Sequence, residues 1–234
     1  MQKALGILGG MGSLATANFM AQVVENTVAS KDQEHLRIYV DCHPQIPNRV
    51  DGLFGTGETP TAAITESIKK LEAMGAEIIA MPCITAHGFY DDFVGAATVP
   101  FLHLPNIVAE VCAHDFHGER AGVLSTSATK EHRILLEPMD KLNVPYVTPE
   151  EDDQATLTRL IDEVKANGDI SLMVKDFCKV LDAMQKRGAA YFVLGCTELP
   201  LIANHCDKEK YRFLDTTLEL AKASISACGG SVKK

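Results

Sequence analysis

Short runs of consecutive apolar residues alternate along the chain with longer stretches in which apolar residues recur every three or four positions. The short runs are rich in β-branched residues and predict strands at residues 3–8, 37–41, 78–81, 99–102, 120–125, 146–147, 191–194 and 212–214. The periodic stretches predict helices at residues 14–29, 60–74, about 86–93, 107–114, 130–142, 154–167, 171–187 and 216–228. Because strands and helices alternate, we predict the α/β class, with parallel strands covered by helices on both faces.

The chain also contains an internal repeat. Residues 5–12 are echoed by residues 121–128, and the local sequence around Cys83 returns around Cys196, 113 residues later. Two copies are too few for a solenoid, so the repeat indicates an old duplication, with a chance likeness of apolar strands as the alternative. The duplication predicts two similar α/β halves, formed by residues 1–103 with 214–234 and by residues 104–213.

Cys83 and Cys196 are the strongest candidates for catalytic residues. Each lies eight residues after a Gly-Ala pair, at the end of an apolar run, and a threonine follows closely, Thr85 or Thr197. Ligands of parallel α/β sheets bind beyond the carboxyl ends of the strands, where both cysteines are expected. A free thiol titrates near pH 8.5, so a modest change of environment makes it a base or an acid at neutral pH. The same nucleophile in both halves therefore predicts a racemase, in which one thiolate removes the α-proton and an opposed thiol returns one.

Composition limits the possible partners. The chain has 234 residues, 46% of them hydrophobic and 23% charged, as is typical of a globular protein. A net charge of −9 argues against nucleic acid as a partner but leaves a small anion open. No apolar run approaches the length of a membrane span, no signal peptide is expected, and we predict a cytoplasmic protein with no membrane partner.

Neither a cofactor nor a metal is predicted. The glycines after the first predicted strand do not have the G-x-G-x-x-G spacing of a dinucleotide site. Cys83 and His87 lack a second close pair of ligands, which argues against zinc. The remaining cysteines are interpreted as reduced, small buried hydrophobic residues, namely Cys42, Cys112, Cys178, Cys206 and Cys228.

Four motifs resemble those of the aspartate/glutamate racemase superfamily, and within it the aspartate racemase branch. They occur in the family's order and cover essentially the whole chain. They are Gly9-Gly-Met-Gly12, Pro44-Gln-Ile-Pro-Asn-Arg49, Met81-Pro-Cys-Ile-Thr-Ala-His87 and Gly195-Cys-Thr-Glu-Leu-Pro200. The resemblance implies two Rossmann-like halves that face each other across a cleft, cofactor-independent racemisation of a dicarboxylic amino acid, and a homodimer.

The resemblance also implies substrate-binding residues. Arg49 would hold the side-chain carboxylate in a bidentate pair, and Lys165 would close over the same end of the substrate. Without the resemblance, Arg49 would be interpreted as a solvated loop residue and Lys165 as a surface lysine. Groups that can donate to the α-carboxylate, and so stabilise the carbanion, are expected on Gly10, Met11, Gly12, Thr85, Thr126, Ser127 and Thr197. Glu198 is expected to tune the proton affinity of Cys196, and no direct role is expected for His87.

The chain departs from the family pattern at two positions. Ile84 follows the first cysteine, where the family usually has Asn, and Ser13 stands where the family usually has Pro. The hydroxyl of Ser13 is expected to cap the following helix. An isoleucine makes no hydrogen bond, and one lost bond to a charged group costs about 1.5–3 kcal/mol. Ile84 therefore keeps open a racemase of glutamate or of broad specificity, an isomerase or decarboxylase of the same fold, and a weakly active ligand-binding relative.

Overall fold

The computed structural model describes residues 2–166 and 168–233. The chain divides into two compact units, one of Met1–Ile107 with Thr217–Lys234 and one of Val108–Thr216. Each unit is built on its own parallel sheet, which confirms the predicted α/β class. In the described residues no helix is both long and apolar enough to cross a membrane.

The strands of the described residues are short, and the central ones are completely buried. In chain order they are β1 (Leu5–Gly9), β2 (Ile38–Cys42), β3 (Ile78–Ala80), β4 (Ala121–Leu124), β5 (Tyr146–Val147), β6 (Tyr191–Leu194) and β7 (Phe213–Asp215).

The helices alternate with these strands. They are α1 (Ser13–Asn26), α2 (Arg49–Phe54), α3 (Thr61–Met74), α4 (Tyr90–Phe93), α5 (Leu104–Asp115), α6 (Ser127–Glu131), α7 (Leu136–Lys141), α8 (Glu151–Lys165), α9 (Ile170–Lys186), α10 (Leu199–Ala203) and α11 (Thr216–Ala227). Three 3₁₀ segments accompany them in the described residues, at Asp32–Glu34, Thr85–Phe89 and Val94–Ala96.

The two sheets share one strand order. In the first unit β1 lies between β2 and β3, and Phe101 adds a single bridge to Ile79 of β3. In the second unit β4 lies between β5 and β6, and β7 pairs with the outer side of β6. Each unit therefore places its first strand at the centre and its third strand beside it, so the residues after β3 and β6 occupy corresponding positions.

Each unit has its own apolar core. In the first, Ile64, Ile68 and Leu71 of α3 pack with residues of β1 and β3. In the second, residues of α8 and α9 pack against β4 and β6, with Phe177 and Leu181 completely buried. Because both faces of these central strands are covered, the strands are continuously apolar, as the sequence pattern predicted.

Two predicted elements are wrong. Residues 99–102 do not form a strand, because Pro100 has no N–H, and pairing with β3 is limited to the bridge at Phe101. The predicted helix at residues 130–142 is two helices, α6 and α7, because the chain turns at Arg133, which has a φ of 53°.

Several local predictions are also corrected. The helix predicted at residues 154–167 begins earlier, because α8 starts at Glu151. Arg49 was expected in a loop but is the first residue of α2, and Ser13 begins α1 without capping it. Cys42 is exposed rather than buried, because β2 is an edge strand. Cys178 is only half-buried. Asn167, the last residue of the predicted helix 154–167, lies outside the described residues.

Candidate active site

Cys83 lies three residues beyond the end of β3, in the chain that leads into the 3₁₀ segment Thr85–Phe89. The side chain is 8% exposed and belongs to the same apolar cluster as Met11 and Ile46. Residues that follow β1, β2 and β3 therefore belong to one apolar cluster at the carboxyl edge of the sheet.

His87 supports the backbone of Cys83. Its Nδ1 lies 2.8 Å from the carbonyl oxygen of Cys83, and its Nε2 lies 3.3 Å from the backbone N of Leu104. A backbone N–H can only donate, so Nε2 accepts and we assign the ring proton to Nδ1, which donates to Cys83. Burial is the main reason why the pKa of His87 is lowered to about 4, so the imidazole is neutral at physiological pH.

The glycine loop follows β1 directly. Gly10 has a φ of +92°, and a side chain there would meet the backbone of His43 at 2.3 Å, so only glycine fits. The N–H of Gly10 donates to Thr16 Oγ1 at 2.9 Å. This N–H was expected to donate to the substrate, but it is already engaged within the protein. Within the described residues the N–H groups of Met11 and Gly12 make no hydrogen bond, and they stand just before the first residue of α1.

Arg49 is held at the start of α2. Its Nη1 donates to the carbonyls of Ile46 and Pro47 at 3.2 and 3.1 Å. Asn48 caps the helix by accepting from the N–H of Val50 at 2.9 Å. In the described part of the chain no carboxylate forms an ion pair with Arg49, so its guanidinium keeps donors for an anion.

Ile84 and Thr85 follow Cys83. Ile84 is 3% exposed, so the position where the family usually has an amide is a buried apolar contact. Thr85 is also buried and is the first residue of the 3₁₀ segment. Both side chains are therefore packed beside Cys83 rather than exposed to solvent.

In the second unit Cys196 lies two residues beyond β6. Gly195 donates its N–H to the carbonyl of Leu124 in β4 at 2.7 Å, and a side chain at Gly195 would meet that same oxygen at 2.7 Å. Glycine therefore lets the chain cross tightly over the end of β4 and carry Cys196 to the carboxyl edge of this sheet.

The thiol of Cys196 donates to a buried carboxylate. Its Sγ lies 2.9 Å from Oε2 of Glu198, and the hydroxyl of Thr197 donates to the same oxygen at 3.2 Å. Glu198 itself is only 7% exposed. Burial of the thiol and the negative charge of Glu198 raise the pKa of Cys196 well above its ordinary value. Cys196 is thus held as a thiol at neutral pH.

Lys165 is the positive charge that acts on this thiol. It lies at the end of α8, is exposed, and pairs loosely with Asp162 at 3.8 Å. Its charge opposes the rise in the pKa of Cys196. The second unit therefore brings Cys196, Thr197, Glu198 and Lys165 into one electrostatic group.

Thr126 and Ser127 follow β4. Oγ1 of Thr126 caps α6 by accepting from the N–H of Thr129 at 3.2 Å. The Thr126 hydroxyl also donates to the hydroxyl of Thr129 at 3.0 Å. Ser127 is the first residue of α6 and is half-buried. Gln154 Nε2 donates to the carbonyl of Ser125 at 3.0 Å and so fixes the same loop from α8.

Sequence analysis missed the roles of two residues. His87 ends the motif at residues 81–87, but only the structure shows that its ring links the carbonyl of Cys83 to the N–H of Leu104. Gln154 lies 29 residues from Ser125, and no local pattern marks it. Among the described residues no group of three or more His, Cys, Asp or Glu side chains is arranged to hold a metal ion.

Each unit thus carries a cysteine just beyond the third strand of a parallel sheet, and one of the two faces a buried carboxylate. These features define a class of α/β proteins in which each of two similar parallel sheets carries a cysteine at the same position. The chain belongs to the Asp/Glu/Hydantoin racemase family, whose sequence pattern matches residues 8–223.

Similar proteins support this assignment. A broad specificity amino-acid racemase of Bacillus subtilis (strain 168) is 28% identical over 226 residues, which are 95% of this chain and 96% of that protein. The structure of Picrophilus torridus aspartate racemase is 31% identical with a TM-score of 0.88, and the match covers 99% of this chain and 96% of that one. A glutamate racemase from Francisella tularensis, solved in complex with D-glutamate, is 17% identical with a TM-score of 0.67 over 97% and 81% of the two chains, a likeness of fold alone.

Proposed function

We propose that this protein racemises an acidic amino acid, with aspartate as the first candidate, by a two-base mechanism that uses Cys83 and Cys196 and no cofactor. The observation that carries the proposal is the corresponding position of the two cysteines after β3 and β6, in sheets of the same strand order. The similarity to an aspartate racemase over nearly the whole chain supports the choice of substrate.

The two thiols begin in opposite protonation states in this mechanism. Cys196 starts as the thiol, because its proton is directed at Glu198 and its pKa is raised. Cys83 starts as the thiolate and removes the α-proton, and Cys196 then donates its proton to the opposite face of the carbanion. The forward reaction leaves Cys83 as the thiol and Cys196 as the thiolate, and the reverse reaction starts from this form: Cys196 removes the α-proton and Cys83 donates its proton to the opposite face.

Binding of two carboxylates is assigned to different groups. The N–H groups of Met11 and Gly12, at the amino end of α1, are suited to the α-carboxylate, where negative charge increases in the transition state. Arg49 has no carboxylate partner among the described residues and is suited to the side-chain carboxylate. Lys165 places a positive charge near Cys196, and this charge would also attract the side-chain carboxylate of the substrate.

The decisive experiment follows the α-proton by NMR in deuterated buffer, with L- and D-aspartate, L- and D-glutamate, and neutral amino acids as substrates. We expect exchange of the α-proton together with racemisation for an acidic amino acid. Cys83→Ala and Cys196→Ala should each abolish turnover of both enantiomers, whereas Cys42→Ala, at an exposed cysteine, should retain it. Normal racemisation by the Cys83→Ala/Cys196→Ala protein would refute the mechanism, and saturable binding of aspartate without exchange would identify a ligand-binding relative.

A second candidate is a racemase of broader specificity. Ile84 is the observation that favours it, because a buried isoleucine replaces a hydrogen-bonding amide beside Cys83. The similarity to a broad specificity amino-acid racemase points the same way. Ile84→Asn is the test: a gain in kcat/KM for aspartate of roughly tenfold or more would show that position 84 limits an aspartate racemase. An unchanged preference, with neutral amino acids turned over as fast as aspartate, would support the broad-specificity racemase.

A further inference from the structure

Two cysteines outside the candidate site lie in contact with each other. Sγ of Cys178 is 3.7 Å from Sγ of Cys206, and the Cys178 thiol donates to it. The thiol of Cys206 in turn donates to the carbonyl of Ile202 at 3.7 Å. The two sulfurs are therefore neighbours in a continuous hydrogen-bonded chain, and both thiols are free.

The two cysteines belong to different segments of the second unit. Cys178 is in α9 and is half-buried, and Cys206 follows α10 and is 7% exposed. Cys206 is part of the core of this unit, and Cys178 packs against it. The chain between them contains β6 and α10, and also Cys196 with its partner Glu198. A bond between the two sulfurs would thus enclose the whole segment that carries the second candidate catalytic cysteine.

We propose that Cys178 and Cys206 are a reversible redox pair, which a peroxide converts into an intrachain disulfide that braces the segment bearing Cys196. A disulfide needs the sulfurs at about 2.05 Å, so the two sulfurs must come closer by somewhat less than 2 Å. This inference does not depend on the proposed racemase activity.

The half-buried position of Cys178 makes it the first thiol to react. Its thiolate attacks one oxygen of hydrogen peroxide, the O–O bond breaks, and a sulfenic acid forms at Cys178 while hydroxide leaves and becomes water. The thiolate of Cys206 then attacks that sulfur, the S–S bond forms, and the second hydroxide leaves as water. In total two thiols lose two protons and two electrons, and one peroxide is reduced to two waters.

The environment of Cys206 sets the conditions for the second step. Burial and the neighbouring Cys178 raise the pKa of Cys206 to about 12. Its thiolate is scarce at neutral pH, and the rate of disulfide formation is expected to rise as the pH is raised toward 9. The pair therefore stays reduced under ordinary conditions and closes under sustained oxidation.

The test treats the reduced full-length protein with hydrogen peroxide, alkylates the remaining thiols, and maps the cysteines by mass spectrometry. Trypsin followed by a glutamate-specific protease places Cys178, Cys196 and Cys206 in three separate peptides, 176–179, 188–198 and 199–208. We expect peptides 176–179 and 199–208 to be joined, with a combined mass lower by two hydrogens, and dithiothreitol to release them. The Cys196→Ser protein should give the same cross-link, which excludes a bond to the catalytic thiol.

The bracing effect is measured by thermal unfolding before and after oxidation. Oxidised wild-type protein should melt about 5 °C or more above the reduced protein, because the closed loop restricts the unfolded chain. Oxidised Cys178→Ser should show no such rise, and Cys42→Ser, at an exposed free cysteine, should behave as the wild type. Sulfinic or sulfonic acid at Cys178 without the cross-link would overturn the pair, and a cross-link without the rise in melting temperature would overturn the bracing role.

Discussion

The buried imidazole of His87 predicts a specific loss of stability in acid. Its pKa is lowered from 6.5 to about 4 in the folded protein, chiefly by burial. Because the folded state disfavours the proton, the stabilisation from keeping His87 neutral is complete above the unfolded pKa. It is lost as the pH falls from 6.5 toward 4, and it does not change further below that. The shift corresponds to about 3 kcal/mol of unfolding free energy in total.

The size of this effect at intermediate pH follows from the same two pKa values. One proton is taken up on unfolding, so about 1 kcal/mol should be lost by about pH 5.5 and between about 2 and 3 kcal/mol by about pH 4.5. His87→Asn removes the titrating ring and keeps an amide N–H that can donate to the carbonyl of Cys83. The variant should be less stable at neutral pH, by about 1–3 kcal/mol, because the N–H of Leu104 loses its acceptor.

Urea unfolding followed by circular dichroism, at a series of pH values from about 7.5 to 4.5, measures the effect. The difference in unfolding free energy between wild type and His87→Asn should shrink as the pH falls, by the amounts above. His114→Asn, a change at an exposed histidine of α5, should follow the wild-type curve. Parallel curves for wild type and His87→Asn would refute the assignment of a neutral, buried imidazole.

Three further predictions test the candidate site. Glu198→Gln removes the charge that helps raise the pKa of Cys196, so iodoacetamide should alkylate this thiol faster at neutral pH; an unchanged rate would show that burial alone controls it. Gly10→Ala should destabilise the protein by more than about 2 kcal/mol in urea unfolding, because its φ is +92° and the backbone of His43 blocks a side chain, whereas Gly12→Ala, with open space around it, should change stability little. Arg49→Lys should raise KM for aspartate by roughly tenfold or more, because a lysine cannot form the bidentate pair, and should leave KM for neutral amino acids nearly unchanged. Equal changes in both KM values would show that Arg49 does not bind the side-chain carboxylate.

The sequence predicted the central strands well because their burial is complete. β1 and β6 are covered on both faces and are continuously apolar, a pattern that belongs to buried strands of this length. The prediction failed at residues 99–102, which are apolar but only half-buried, with Pro100 exposed and unable to donate to a ladder. Apolar character alone therefore does not identify a strand, because the segment must also be able to form the hydrogen bonds of the ladder.

The sequences at the ends of α2 and α8 contain local signals of helix formation that composition alone does not reveal. Asn48 and Gly55 stand at the two ends of α2, as an N-cap that accepts a hydrogen bond and a C-cap with a φ of 69°. Three acidic residues in the first turn of α8 suit the positive end of a helix dipole, although the helix was predicted to begin only at residue 154. The break at Arg133 carried no such signal, because neither glycine nor proline lies between α6 and α7.

The two cysteines were predictable from the repeat, but the difference between their surroundings was not. Cys196 donates to the carboxylate of Glu198, a partner two residues away in the sequence. Cys83 is held through its carbonyl by the neutral ring of His87, which also accepts from Leu104, 17 residues further along. A repeat makes two positions alike, whereas the proposed two-base mechanism requires the two thiols to differ in protonation. The surroundings of Cys196 support that part of the proposal, because a carboxylate in contact with a thiol favours the protonated form. The repeat accounts for the corresponding positions of the two thiols, and the contact between Cys196 and Glu198 is the structural basis for proposing different roles for them.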